Sequence, residues 1–142
     1  MPPDRLDSRP GPRPEVLSPA GSPEALAAAV QAGADAVYFG LTDFNARIRA
    51  RNFELGDLPD VLLDLRRWGV KSYLVFNTLV FLEEMPAARR LLEAIAEAGP
   101  DGIIVQDLGL LRLVRRLAPG LAVHASTQMT VGSADGVRLA AR

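Results

Sequence analysis

One unit recurs along the chain and limits what it can fold into: a short apolar strand, a turn, an amphipathic helix, a glycine, and then the next strand. Ala32-Gly33-Ala34-Asp35 stands before the apolar run Ala36-Val37-Tyr38-Phe39-Gly40, and Ala98-Gly99-Pro100-Asp101 stands before Gly102-Ile103-Ile104-Val105. Strands alternating with helices in this way imply crossover connections and a parallel sheet covered by helices.

The punctuation supports the same reading. Val16-Leu17-Ser18 is a first strand, and Ser22 followed by Pro23 starts a helix, because a serine oxygen accepts an orphan N–H and proline suits the first helical position. Leu26, Ala29 and Val30 share one face of that helix, and Gly33 suits a left-handed cap. Asp57 is expected to cap a second helix with the stripe Leu58, Val61, Leu62 and Leu65, which Gly69 stops before a strand over Val70 to Asn77. A third helix runs from about Glu84 to Ala98. Leu110, Val114 and Leu117 belong to a fourth that Pro119-Gly120 ends. Leu121 to His124 starts a fifth strand, and a last helix begins near Ser133. Two closures fit: a doubly wound five-stranded sheet, or an eight-stranded barrel, which needs about 250 residues and would here be cut short.

Composition narrows the functional classes. The 142 residues, 49% apolar and 23% charged, suit one globular domain with a core. A net charge of -1 leaves no domain-wide nucleic-acid footprint, so any RNA contact must be local. No cysteine is present, which excludes disulfides, thiol nucleophiles and thiolate-bound metal within the chain. The apolar run Tyr73 to Leu82 is broken by Asn77 and Thr78 and falls short of the roughly 18 residues of a membrane span. Residues 1–14, rich in proline and arginine without a signal-type apolar stretch, read as a disordered tail ahead of a domain over 15–142; export is not indicated, so a cytoplasmic setting is expected.

In either closure the working face lies where strands end at their carboxyl termini. The residues there are polar: Gly21 and Ser22; the segment Asn45 to Phe53; Asn77 and Thr78; Gln106 and Asp107; His124, Ser126 and Gln128. Gly21 and Ser22 at a helix start suit an anion, but such a pair is more often an ordinary N-cap. In Asn45 to Phe53, Arg47, Arg49 and Arg51 alternate with apolar residues; extended, they would present three guanidinium forks to RNA phosphate or a carboxylated small molecule. The competing reading is a solvated loop whose arginines pair with nearby acids. His124, the only histidine, with Ser126 and an orienting Asp107 would make a hydrolytic set, although side chains two apart on a strand stand parallel. Otherwise His124 is a packed strand-end residue. Asp35 and Asp101, at the opposite face, read as turn and cap residues. No metal site is expected.

Five phrases in order, LSPAGSPEALAAAVQAGADAVYFG, FNARIRARNF, FNTLVF, GIIVQDLGLLRLVRR and HASTQMTV, resemble the N-terminal part of the collagenase-like peptidase family, family 32 of the peptidases of unknown catalytic type. The resemblance covers about residues 15 to 142 and favours the barrel: an N-terminal portion of a TIM-type (β/α)8 barrel with about four and a half strand-helix units. It implies a mouth made of Pro19 to Ser22, Asn45, Ala46, Arg47, Asn52, Phe53, Asn77, Thr78, Gln106, Asp107, Gly109, His124, Ser126, Gln128 and Met129, without assigning a catalytic role to any of them. It also implies either peptidase activity or RNA hydroxylation of a tRNA uridine or ribosomal cytidine, linked to prephenate. An iron-sulfur cluster goes with the hydroxylation branches, on cysteines expected past Arg142. The leading expectation is therefore a catalytically incomplete piece of an RNA hydroxylation enzyme; the alternatives are a collagenase-like protease and a non-catalytic binding module. Unpaired edge strands of a cut barrel would favour self-association.

Overall fold

The structure, a computed structural model, describes residues 13–46 and 51–141. Five parallel strands, β1 (Leu17–Pro19), β2 (Ala36–Gly40), β3 (Lys71–Phe76), β4 (Gly102–Val105) and β5 (Ala122–Ala125), lie side by side in chain order. Helices α1 (Pro23–Gln31), α2 (Leu58–Arg67), α3 (Met85–Ala98) and α4 (Leu108–Leu117) connect them, and α5 (Ala134–Ala140) follows β5.

Strand order decides between the two closures. A doubly wound sheet reverses its order at a switch point and carries helices on both faces. Here the order never reverses, and the helices share one face. Val37, Phe39, Leu74, Phe76, Ile103 and Val105 form one alternating set and pack with Ala29, Leu62, Leu65, Leu92, Ile95, Leu110 and Val114 in a single core. Full burial of each large side chain in that layer contributes about 1.5–3 kcal/mol.

The opposite face is built in rows by the register. Pro19, Tyr38, Tyr73, Gly102 and Ala122 form one row; Gly40, Val75, Ile104 and His124 form the next. The Tyr73 hydroxyl lies 3.2 Å from Glu15 Oε1, just before β1, while its ring meets the imidazole of His124 on β5. Side chains from both flanks thus converge on the central strand, so the helix-free face is concave. This is the arrangement of the N-terminal part of a parallel barrel.

Most expected boundaries hold. Ser22 Oγ accepts from the Ala25 N–H at 3.2 Å, and Gly33, Gly69 and Gly99 follow α1, α2 and α3 with φ of 82°, 66° and 70°. Asp57 differs from expectation. A short 3-10 turn over Leu55–Asp57 precedes α2, so the Asp57 carboxylate accepts from the Glu54 N–H at 3.1 Å and makes no side-chain cap on α2.

The recurring Gly-x-Asp phrase has one structural task at both sites. Asp35 Oδ2 accepts from the Val16 N–H at 2.8 Å, and Asp101 Oδ2 accepts from both Ser72 N–H and Oγ at 2.8 Å. Each aspartate ends a helix-to-strand turn and ties the start of the neighbouring strand to its own. These are strand staples at the amino-terminal face, more specific than the turn and cap roles expected for them. Of the expected tail over 1–14, residues 1–12 lie outside the described residues; the Arg13 guanidinium lies 3.7 Å from Asp35.

Candidate functional site

The loop after β2 is the most elaborately built part of the carboxyl face. It leaves at Gly40 and returns at Phe53, which donates its N–H to Gly40 O and accepts from the Thr42 N–H, both at 3.1 Å. Leu41 and Phe53 form a parallel bridge. The Asn45 carboxamide, 2% exposed, donates to Leu41 O at 3.1 Å and to Asn52 Oδ1 at 2.8 Å. Asn52 is also buried, and its N–H donates to Gly21 O at 3.0 Å. Asn77, just past β3, accepts from the Ala46 N–H at 3.1 Å, and Phe44 stacks on Phe76 with centroids 5.0 Å apart. The expected residues from the ends of β1, β2 and β3 therefore form one connected cluster of Gly21, Asn45, Asn52 and Asn77.

Ser22 serves as the N-cap of α1. Its side chain also holds Glu24 below the usual carboxylate range, helped by the Glu24 backbone and by Arg51. Arg51 Nη1 lies 3.3 Å from Glu24 Oε1 in a pair about three-quarters exposed on both sides. Such a pair stabilises little and is easily exchanged for a better anion. Arg47 and Arg49 lie outside the described residues.

The β4 and β5 ends form a second group. Ser126 N–H donates to Val105 O at 2.8 Å, and the buried Ser126 Oγ accepts from the Gln128 N–H at 3.2 Å. Gln106 is half-buried and Gln128 exposed. Asp107 Oδ1 accepts from the Leu110 N–H at 2.8 Å as the N-cap of α4, and the described ring contact of His124 is with Tyr73, centroids 4.9 Å apart. Serine, histidine and aspartate thus each have a structural partner of their own.

Three contributors escaped the sequence reading. A Cβ on Gly40 would overlap the Asn45 carboxamide, and one on Gly102 would lie 2.9 Å from Tyr73 Cδ1. Glu24 holds Arg51 across 27 positions of sequence. The aromatic-over-glycine pairing emerges only once register is known, whereas a strand ending in Gly40 just before FNAR was a usable hint.

At the opposite end of the sheet, Glu15 is held below its ordinary value chiefly by its hydrogen bond to Lys71, whose ammonium it raises in return. Burial and the Glu15 bond push the Tyr73 phenol up. This cluster serves the stability face. A groove of about 490 Å³ lined by Leu108, Leu111, Arg112 and Leu139 lies between α4 and α5, away from the loop cluster. Among the described residues, no group of His, Cys, Asp and Glu could hold a metal ion, and no helix is long and apolar enough to cross a membrane.

Residues 21–142 match the profile of Peptidase family U32. The chain belongs to this family. It is 38% identical over 129 residues to a collagenase of Porphyromonas gingivalis, covering 90% of this chain and 31% of that protein. It is 35% identical over 126 residues to tRNA hydroxylation protein P1 of Bacillus subtilis, covering 89% and 30%. A 23S rRNA 5-hydroxycytidine synthase of Escherichia coli is 37% identical over 121 residues, covering 85% and 18%. The chain therefore spans a third or less of these U32 relatives. The fold matches the structure of the U32 peptidase Mk0906 with a TM-score of 0.73 at 16% identity, over 95% of this chain and 57% of that one. Both activities that the sequence resemblance implied appear among the names of its relatives.

Proposed function

We propose that these residues form the mouth-building first part of an RNA hydroxylation enzyme acting in the cytoplasm, with the loop from Asn45 to Phe53 contacting phosphate oxygens. The observation that carries this reading is a segment whose sequence holds three arginines and whose described ends are tied to β1, β2 and β3 on the carboxyl face, in a chain similar to tRNA and rRNA hydroxylation proteins. Guanidinium forks match phosphate geometry, and the exposed Glu24 partner of Arg51 is readily displaced by a polyanion. The described residues bind and position; they supply no redox group. An iron-sulfur cluster does not fit the donors in this chain, which has no cysteine, and its thiolates would come from elsewhere in a longer protein.

The test is a salt series of RNA binding. Each phosphate left without its arginine lowers the slope of log affinity against log salt by about 0.7 for single strands, so changing Arg47 and Arg51 to Ala flattens it; an unaltered slope contradicts the assignment. Peptide hydrolysis is the second reading, favoured by the collagenase relative. Turnover of denatured collagen that is abolished by His124→Ala would promote it. The open edges β1 and β5 also favour self-association, which light scattering reads directly.

A further inference from the structure

We infer that Gly40, Asn45 and Asn52 form a clamp that fixes the two ends of the arginine-bearing segment, and with them Arg51, making Asn45 and Asn52 positioning residues for anion binding. The purpose of the clamp rests on the phosphate-binding reading above; its existence rests on geometry alone.

A loop that merely connects β2 to α2 could close on apolar side chains. This one closes on two buried carboxamides, a residue type mostly found exposed and costly to bury unless bonded. Their bond is directional, whereas apolar contacts tolerate sliding. Three further features carry a conformational cost at the same place. Asn52 sits at φ 53° and Phe44 at φ 54°, in the left-handed region that asparagine tolerates and phenylalanine seldom visits. Gly40 ends a buried strand, where the missing Cβ is the space that the Asn45 amide occupies. Such features persist where the surroundings over-determine them, and they gather at functional segments.

The clamp sets both exits of the loop. Asn45 is held by Leu41 O and Asn52, and the next residue, Ala46, is tied to Asn77 beyond β3. Asn52 is tied to Gly21 before α1, which places the preceding Arg51 beside Glu24. Ala46 and Arg51 therefore leave the neck from fixed points on two different strand ends. The placement of Arg51 beside Glu24 follows from the neck and needs no contact between the asparagines and the ligand.

The decisive variant is Asn52→Gly in the intact protein, because glycine keeps the positive φ and removes only the carboxamide. Two readouts are taken well below the melting midpoint: hydrogen exchange at the Ala46 and Phe53 amides, and the affinity of a fluorescein-labelled oligouridylate. With a buried partner left unbonded, exchange at both amides rises about tenfold or more and RNA affinity falls about tenfold. Gly40→Ala, which displaces the same amide, gives the same pair of changes and serves if Asn52→Gly does not fold. Unchanged exchange at both amides shows that no clamp exists. Faster exchange with wild-type RNA affinity shows that the amides only stabilise the loop and overturns the positioning role. Absence of RNA binding by the wild-type protein overturns the phosphate-binding reading and the positioning role with it, while the exchange data still decide whether the clamp exists.

Discussion

Tyr73 on β3 extends over Gly102 on β4 and meets His124 on β5 edge-on, with ring centroids 4.9 Å apart and planes at 61°. The contact spans three strands on the helix-free face, so it records the curvature of the sheet. A methyl group on Gly102 would stand 2.9 Å from Tyr73 Cδ1 and 3.1 Å from Ala122 O. Gly102→Ala is therefore expected to cost about 1–3 kcal/mol as overpacking, read from the urea midpoint. His124→Ala removes one aromatic contact, worth about 0.5–1.5 kcal/mol, and as a packing change it leaves substrate turnover at low temperature near wild type.

Asp101 accepts two bonds from Ser72, a residue only 3% exposed. Asp101→Ala leaves the Ser72 N–H without its acceptor, and the expected loss is about 1–3 kcal/mol. Chemical denaturation checks it, and hydrogen exchange at Ser72 localises the loss to the start of β3. Asp35→Ala acts in the same way at Val16, with a smaller effect because that bond is exposed.

The strand-helix alternation, all five strand starts to within one residue, and the helix-stopping glycines were legible because they depend on local chemistry: proline and serine at helix starts, glycine at left-handed ends, and apolar stripes. The polar mouth was legible because carboxyl strand ends follow from alternation. What stayed hidden depends on register and long-range approach. Asn45 and Asn52 look like two ordinary loop asparagines until the neck closes, and Glu24 has no sequence signal linking it to Arg51. Asp57 stands at the N-cap position of α2 as expected but makes no capping bond there, because a preceding 3-10 turn competes for the same carboxylate.

The Glu15–Lys71 pair makes stability depend on pH. Glu15 titrates below its ordinary 4.5 in the folded chain, so its contribution is present above that value and is lost as pH falls through the lower folded value. Lys71 titrates above its ordinary 10.5, so its contribution is present below that value and is lost as pH rises through the higher folded one. Glu15→Gln should flatten both the acid and the alkaline limbs of a plot of urea midpoint against pH. Equal limbs in the variant and wild type would show that the pair contributes nothing.

Asp107 distinguishes a cap from a catalytic orienter. As the N-cap of α4 it is replaceable by asparagine, whereas Asp107→Ala costs about 0.5–2 kcal/mol. Thermal melts of the two variants side by side test this, with Asp107→Asn expected near wild type.

The proposed RNA hydroxylation is the central claim to test. The most direct measurement is mass spectrometry of nucleosides from the tRNA and rRNA of cells lacking the gene, with and without a restored copy. The account predicts that one pyrimidine nucleoside carrying an extra oxygen atom disappears and returns with the copy. An unchanged nucleoside profile, with loss of a peptide-cleaving activity instead, would contradict it.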